Sequence, residues 1–180
     1  MLFYPQAIYA HTVTVSLKNL VMVVRDDTGR PIEVFPVAVG ALNLSGRSLT
    51  PVCKGWLLKS NLILKRTNPV YYKGRPFIRI STVRKGYTPL GIHIVPFRLF
   101  YRGFISHGCV QMRSRDLNKL VKLVQKENIK FRVINQPEID PISYPYARFK
   151  YQVKNFGTKQ NPVTKRSTKT HLLILEKNRP

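Results

Sequence analysis

The first forty residues alternate between short apolar runs and turn residues, which is the pattern of a β-meander. Apolar and polar side chains alternate with a period of two over residues 11–17, and this predicts a strand with one buried face. A second strand is predicted over residues 20–24. The polar residues 25–30 have the composition of a turn, and residues 32–39 form the predicted returning strand.

The middle and end of the chain contain further strand signals separated by turn residues. Residues 40–55 are rich in Gly, Ser, Asn and Pro and are predicted to form a loop. Strands are predicted over residues 56–65, 76–83 and 131–134, with one more over residues 171–175.

A single helix is predicted after residue 113. Its apolar side chains recur at the i, i+3, i+4 and i+7 spacing of one buried stripe, at Leu117, Leu120, Val121 and Val124. Ser114 is the predicted N-cap, and Asp116 lies in the first turn, where the helix dipole favours a carboxylate. These patterns predict one mainly β domain of the α+β class with a helix packed on its sheet, followed by a basic tail.

Composition limits the class of protein. The 180 residues are 43% hydrophobic, which is enough apolar surface for a folded core. No apolar run approaches the ~18 residues that a membrane helix needs, so no transmembrane segment is expected. Residues 1–10 have no basic start and do not form a convincing signal peptide. With 2 cysteines and 4 histidines, neither a disulfide scaffold nor a structural zinc site is expected.

The charge indicates an anionic environment or partner. The chain carries 31 Lys and Arg against 8 Asp and Glu, a net charge of +23, and such a field attracts polyanions. Nucleic acid, anionic lipid and acidic wall polymers are all candidates. Residues 71–77 and 146–151 interleave basic and aromatic side chains, as nucleic-acid platforms do. The same alternation is typical of a half-buried strand in a basic protein, so no dedicated nucleic-acid site is predicted.

Reactive side chains are concentrated in one stretch, which contains His93 and then Ser106, His107, Gly108 and Cys109. A cysteine attacks carbonyl groups as the thiolate, and a neighbouring histidine can accept its proton. On the residues alone, His93 and His107 are both candidates for this base. Gly108 allows the backbone to approach closely, so nearby amides could bind an oxyanion. These groups are the minimum set for acyl transfer.

The sequence Ser-His-Gly-Cys at residues 106–109, with Met112 after it and His93 before it, resembles the active-site signature of the L,D-transpeptidases, the YkuD-like catalytic domain. The hairpin that ends at Gly40 and the Thr50-Pro51 step are similar to weaker features of that family. The resemblance covers about residues 11–135 and implies a mainly β (α+β) L,D-transpeptidase-like β-sandwich with one amphipathic helix after the cysteine. Residues 136–180 then form a basic C-terminal extension.

The resemblance implies a role for each residue of the signature. Cys109 would be the nucleophile, and His93 would be the base, oriented by the backbone carbonyl of Ile94. The amides of His107, Gly108 and Cys109 would form the oxyanion hole, with the His107 side chain structural.

Other positions near the signature have weaker expectations. Ser106 would fix the turn by hydrogen bonding. Gln111 and Arg113 are expected to contact substrate, although the family usually has Arg or Asn at the position of Gln111. Cys53 is expected to be inert, and a disulfide between it and Cys109 would inactivate the enzyme.

The activity implied is acyl transfer on peptidoglycan. Cys109 would attack the tetrapeptide stem after its third residue and release the terminal D-alanine. A stem amine would then give a 3→3 crosslink, and water would make the protein an L,D-carboxypeptidase. No cofactor or metal is expected, and carbapenem acylation is a family expectation.

The partners are peptidoglycan stem peptides and anionic wall polymers, in the periplasm or cell wall. The alternative is a basic polyanion-binding module that keeps the fold without catalysis.

Overall fold

The computed structural model describes residues 11–64, 75–82, 90–94, 100–138 and 152–153. Within these residues the chain forms 11 strands, which hydrogen-bond into one curled sheet, and a single α-helix. The predicted fold class, mainly β with one amphipathic helix, is confirmed.

The strands in chain order are β1 Thr12–Ser16, β2 Val21–Arg25, β3 Pro31–Pro36, β4 Ala38–Gly40, β5 Cys53–Ile63, β6 Phe77–Thr82, β7 Gly91–Ile94, β8 Gly103–Ser106, β9 Val110–Met112, β10 Ile129–Ile134 and β11 Gln152–Val153, with helix α1 Ser114–Lys126 between β9 and β10. In the sheet they follow the order β11-β8-β4-β9-β7-β6-β5-β10-β1-β2-β3.

The first three strands form the predicted meander at one edge of the sheet. β1 pairs antiparallel with β2, and β2 pairs antiparallel with β3. β10 returns after the helix and lies parallel to β1. The shorter strands β4, β7, β8 and β9 form the other half of the sheet, and they surround the chemistry-bearing stretch.

Helix α1 buries the predicted stripe, since Leu117, Leu120, Val121 and Val124 all lie in the core. It packs against β5 and β7. The N-cap prediction is wrong, because the helix begins at Ser114 itself, so its hydroxyl lies inside the first turn. The residue before it holds the N-cap position in an extended conformation and makes no side-chain cap hydrogen bond.

Several predicted boundaries also differ from the structure. The predicted loop over residues 40–55 is wrong at its end, because β5 begins at Cys53. The predicted strand over residues 32–39 is interrupted at Val37 and forms β3 and β4. The strand predicted over residues 171–175 lies outside the described residues, but within the basic extension β11 pairs parallel with β8.

Besides β11, the sequence patterns did not predict the three strands β7, β8 and β9. They have 4, 4 and 3 residues, too few for a period-two pattern to emerge. They nevertheless form the part of the sheet that carries the reactive side chains.

Candidate active site

Strands β7 and β9 bring the two candidate catalytic residues together. They pair in parallel, with Ile92 opposite Val110 and His93 opposite Gln111. Cys109 directly precedes Val110, so its backbone lies next to the strand that carries His93. The pairing of these two strands therefore brings Cys109 and His93 near each other in space, although they are separated in sequence.

The same two strands decide which way the side chains point. Ile92, Val110 and Met112 are fully buried in the hydrophobic core. Because successive side chains of a strand point to opposite faces, His93 and Gln111 project from the face away from the core. His93 is nevertheless only 3% exposed. Phe77, its neighbour on β6, stacks on the imidazole with ring centroids 5.8 Å apart and planes inclined by 15°.

One hydrogen bond fixes the tautomer of His93. Its Nδ1 lies 2.7 Å from the backbone oxygen of Ile94. A carbonyl oxygen can only accept, so Nδ1 carries the proton and donates it. In the neutral ring the lone pair is then on Nε2, which is the atom able to take a proton from a thiol.

The turn before Cys109 is closed by the hydroxyl of Ser106. This hydroxyl donates to the carbonyl of Cys109 at 2.5 Å and accepts from the amide of Gly108 at 3.1 Å. Gly108 has φ +127°, a conformation that residues with a Cβ rarely adopt. The amide of Gly108, one of the three expected oxyanion donors, is therefore engaged by Ser106 in this structure.

Thr50 supports the turn from the opposite side, and the sequence reasoning assigned it no role. Its hydroxyl donates to the carbonyl of Gly108 at 2.7 Å and accepts from the amide of Gly40 at 2.6 Å. Thr50 is 1% exposed, so both hydrogen bonds are shielded from water. Gly40 has to be glycine, since a Cβ there would lie 2.3 Å from the Thr50 nitrogen. The only signal in the sequence was the Thr-Pro step itself.

The remaining predicted positions differ in exposure. The side chain of His107 is exposed, whereas Cys109 and Gln111 are half-buried. Arg113 lies at the start of α1, and its guanidinium carbon is 5.5 Å from the centre of the Phe100 ring. The structure therefore places Gln111 beside His93 and holds Arg113 against an aromatic ring.

The second cysteine lies elsewhere in the sheet. Cys53 begins β5, opposite Val133 on β10, and no disulfide joins it to Cys109. Burial raises the pKa of the Cys53 thiol, which lowers its reactivity.

In the described residues, no group of three or more His, Cys, Asp or Glu side chains is placed to hold a metal ion. None of the described helical structure has the length and apolar character needed to span a bilayer.

Cys109 directly precedes the strand that pairs with the strand of a buried histidine of fixed tautomer, an arrangement compatible with thiolate chemistry in a mainly β fold. The family model of the L,D-transpeptidase catalytic domain, YkuD, matches residues 10–134. The chain belongs to this family. No curated protein sequence matches the chain.

Solved structures share the fold at low sequence identity. Bd1075 from Bdellovibrio bacteriovorus is 16% identical with a TM-score of 0.56, covering 71% of this chain and 48% of that one. The helical cell shape determining protein Pgp2 from Campylobacter jejuni is 18% identical with a TM-score of 0.55, covering 79% and 55%. An L,D-transpeptidase mutant from Enterococcus faecium is 21% identical with a TM-score of 0.51, covering 71% and 50%. The match thus spans about half the length of these proteins.

Proposed function

We propose that this protein is an L,D-transpeptidase that acts on peptidoglycan tetrapeptide stems through an acyl-enzyme on Cys109. The observation that carries the proposal is the hydrogen bond from His93 Nδ1 to the carbonyl of Ile94, on the strand beside the cysteine. It leaves Nε2 of the neutral ring as the proton acceptor. Family membership supplies the substrate class, and with it a location in the periplasm or at the cell wall.

The first half-reaction forms a thioester. Nε2 of His93 takes the proton of Cys109, and the thiolate attacks the carbonyl carbon of the third stem residue. The amides of His107 and Cys109 are the proposed donors to the oxyanion, because the amide of Gly108 is already bonded to Ser106. As the tetrahedral intermediate collapses, the C–N bond breaks. His93 returns the proton to the leaving nitrogen, and D-alanine departs.

The second half-reaction releases the acyl group. An amine of another stem loses a proton to His93 and attacks the thioester carbon. The C–S bond breaks, the thiolate regains the proton, and a 3→3 crosslink forms. If water replaces the amine, the same steps make the protein an L,D-carboxypeptidase. Gln111 lies beside His93 on the paired strand and is the proposed contact to the stem peptide, with Arg113 near it.

The test is mass spectrometry of products from purified disaccharide tetrapeptide. Wild type is expected to release D-alanine and to form a dimer joined by a 3→3 bond. Cys109→Ala and His93→Gln should do neither, while the matched thiol control Cys53→Ala should react like wild type. Tripeptide without dimer would identify the carboxypeptidase. Equal turnover by Cys109→Ala, or none by folded wild type across acceptors and stem types, would overturn the proposal.

The second candidate is a polyanion-binding module without catalysis, and the net charge of +23 favours it. Such a module would bind DNA or RNA with an affinity that falls steeply as salt rises. Cys109→Ala would bind as well as wild type in that case. Failure of every tetrapeptide reaction, together with this salt dependence, would favour this candidate over the enzyme.

A further inference from the structure

A groove of about 430 Å³ opens on the sheet where β1, β5 and β10 lie side by side. Its floor includes Val13 and Phe131, which belong to the core. The side chains that project into it come from the alternate positions of the three strands and face away from that core. We call it the outer-face groove, and its projecting residues are Thr12, Lys54, Trp56, Lys130 and Arg132.

Strand pairing places these side chains next to each other. Lys130 lies opposite Trp56 on one side and opposite Thr12 on the other, and Arg132 lies opposite Lys54. Neighbouring strands are about 4.8 Å apart, and alternate residues of one strand are about 6.8 Å apart. Three cations therefore occupy strand positions next to Trp56: Lys130 opposite it, Lys54 two residues before it, and Arg132 on the diagonal. Lys54 and Lys130 are exposed, and Trp56 is half-buried.

One of these cations, Arg132, contacts an acidic side chain. Glu138 Oε1 is 3.4 Å from Arg132 Nη2 and 3.1 Å from Arg25 Nε. The Nε of Arg132 donates to the hydroxyl of Thr14 at 2.7 Å. These contacts fix the guanidinium beside the groove, in a chain whose net charge is +23.

The combination of one aromatic face and flanking cations selects a ligand chemistry. An indole and the methylene stems of lysine offer an apolar strip, while the ammonium groups lie at its rim. A sugar ring has an apolar C–H face and fits such a strip. A carboxylate on the sugar would reach the lysines and form charge-assisted hydrogen bonds. Single-stranded nucleic acid instead uses several aromatic platforms in succession, and the lining of this groove offers only Trp56, since Phe131 is 2% exposed.

We propose that the outer-face groove binds an acidic glycan, a sugar polymer that bears carboxylates, with a ring stacked on Trp56 and carboxylates paired to Lys54 and Lys130. The proposal goes beyond the acyl transfer proposed above, because glycan binding here requires neither Cys109 nor His93.

The groove and the candidate active site share one face of the sheet. On β6, Phe77 lies opposite His93, and Ser81 lies opposite Trp56. Phe77 and Ser81 are four positions apart, so their side chains point the same way and their backbones are about 13 Å apart. Arg79, exposed on the strand between them, extends the positive surface. A glycan in the groove would thus run along the face from which His93 projects.

The test uses the full chain with Cys109→Ala, so that catalysis plays no part. Trp56 is the single tryptophan of the chain, and its fluorescence therefore reports this groove directly. Oligogalacturonate, with a carboxylate on each sugar, is expected to change the emission in a saturable way, and neutral dextran is not. Lys54→Ser should weaken binding about tenfold, while the matched loss of one charge in Lys122→Ser, on the exposed face of α1, should change it less than about twofold.

Calorimetry of two further variants separates stacking from charge. Trp56→Ala should weaken oligogalacturonate binding about tenfold, and Trp56→Phe should restore part of it, with circular dichroism showing that both fold. Equal losses in Lys54→Ser and Lys122→Ser would show diffuse attraction and overturn the proposal. So would tighter, Trp56-dependent binding of single-stranded DNA, or no binding of oligogalacturonate. The same groove substitutions can be made in the wild-type chain, which retains Cys109. The tetrapeptide turnover of those variants then tests the proposed acyl transfer separately from glycan binding.

Discussion

The hydroxyl of Thr50 donates to the carbonyl of Gly108 at 2.7 Å, across 58 positions of sequence. The same hydroxyl accepts from the amide of Gly40, so one buried side chain joins the end of β4 to the turn before Cys109. The hydroxyl of Ser48 reinforces this junction by donating to the carbonyl of Gly40 at 2.7 Å. The position of the proposed nucleophile therefore depends on a side chain outside the catalytic signature.

Thr50→Val is expected to lower both stability and turnover. It leaves the amide of Gly40 and the carbonyl of Gly108 buried without their partner, which costs about 1–3 kcal/mol. Thr50→Ser retains the hydroxyl and should recover most of both losses. Urea denaturation and tetrapeptide turnover measure the two effects. Wild-type turnover in Thr50→Val would show that the junction does not position the turn.

Gly108→Ala is expected to reduce turnover far more than an alanine substitution at a glycine of similar backbone conformation elsewhere in the chain. Its φ of +127° is strained for alanine, and the added Cβ would lie 3.3 Å from the carbonyl oxygen of Leu49. Gly29→Ala is the matched control, because Gly29 also has a positive φ, +83°, in the turn between β2 and β3. Each should lose about 1–3 kcal/mol of stability. Only Gly108→Ala should lose turnover, and equal activity in the two variants would contradict the role given to this turn.

Phe77→Leu is expected to impair catalysis by loosening His93. The ring of Phe77 covers the imidazole, and leucine would fill the space without a flat surface to stack on. Phe35→Leu serves as the control, since Phe35 is equally buried in the core but lies on β3 at the far edge of the sheet. Both should lose about 1 kcal/mol of stability. A fall in kcat is expected in Phe77→Leu alone, and the pH profile of kcat/KM should shift with it.

The stability of the protein should depend on the charge of Asp116. Burial raises the pKa of this carboxyl above its ordinary value of 3.8, against the opposing influence of Arg115 and Arg113. Between the two pKa values the folded state binds more protons than the unfolded state, so this group lowers the free energy of unfolding as pH rises through that window. Asp116→Asn removes the effect. Relative to wild type, the variant should gain stability as pH rises from the ordinary carboxyl pKa of 3.8 through the raised pKa of the folded state, as measured by urea denaturation.

A constant or falling difference over that pH range would contradict the assignment of a raised pKa to Asp116. Asp26→Asn is the useful comparison, because its carboxyl has the opposite shift. The hydroxyl of Thr28 donates to it at 2.6 Å and lowers its pKa. The stability that the Asp26 carboxylate contributes to wild type is lost as pH falls through the lowered pKa. As pH rises, the stability of Asp26→Asn relative to wild type should therefore fall, whereas that of Asp116→Asn should rise.

The sequence alone determined the meander and the helix. Val13 and Val15 alternate with Thr12 and Thr14, and Leu117 to Val124 repeats at helical spacing, because each element buries one face and exposes the other. The order of His93, Ser106, His107, Gly108 and Cys109 was also sufficient to predict the family, since a reactive-site signature is local in sequence. These features depend on near neighbours in the chain, which a sequence displays directly.

Only the tertiary structure decided the rest. The sequence did not decide whether His93 or His107 is the base. The structure distinguishes them, because His93 is buried and His107 is exposed. The tautomer of His93 depends on the hydrogen bond from its Nδ1 to the backbone oxygen of Ile94, which the orientation of the ring on β7 makes possible. The role of Thr50 and the grouping of Trp56 with Lys130 depend on contacts between strands distant in sequence. Local pattern specifies which face of an element is buried, but the register of paired strands specifies which side chains meet, and that register is set by the packing of the whole sheet.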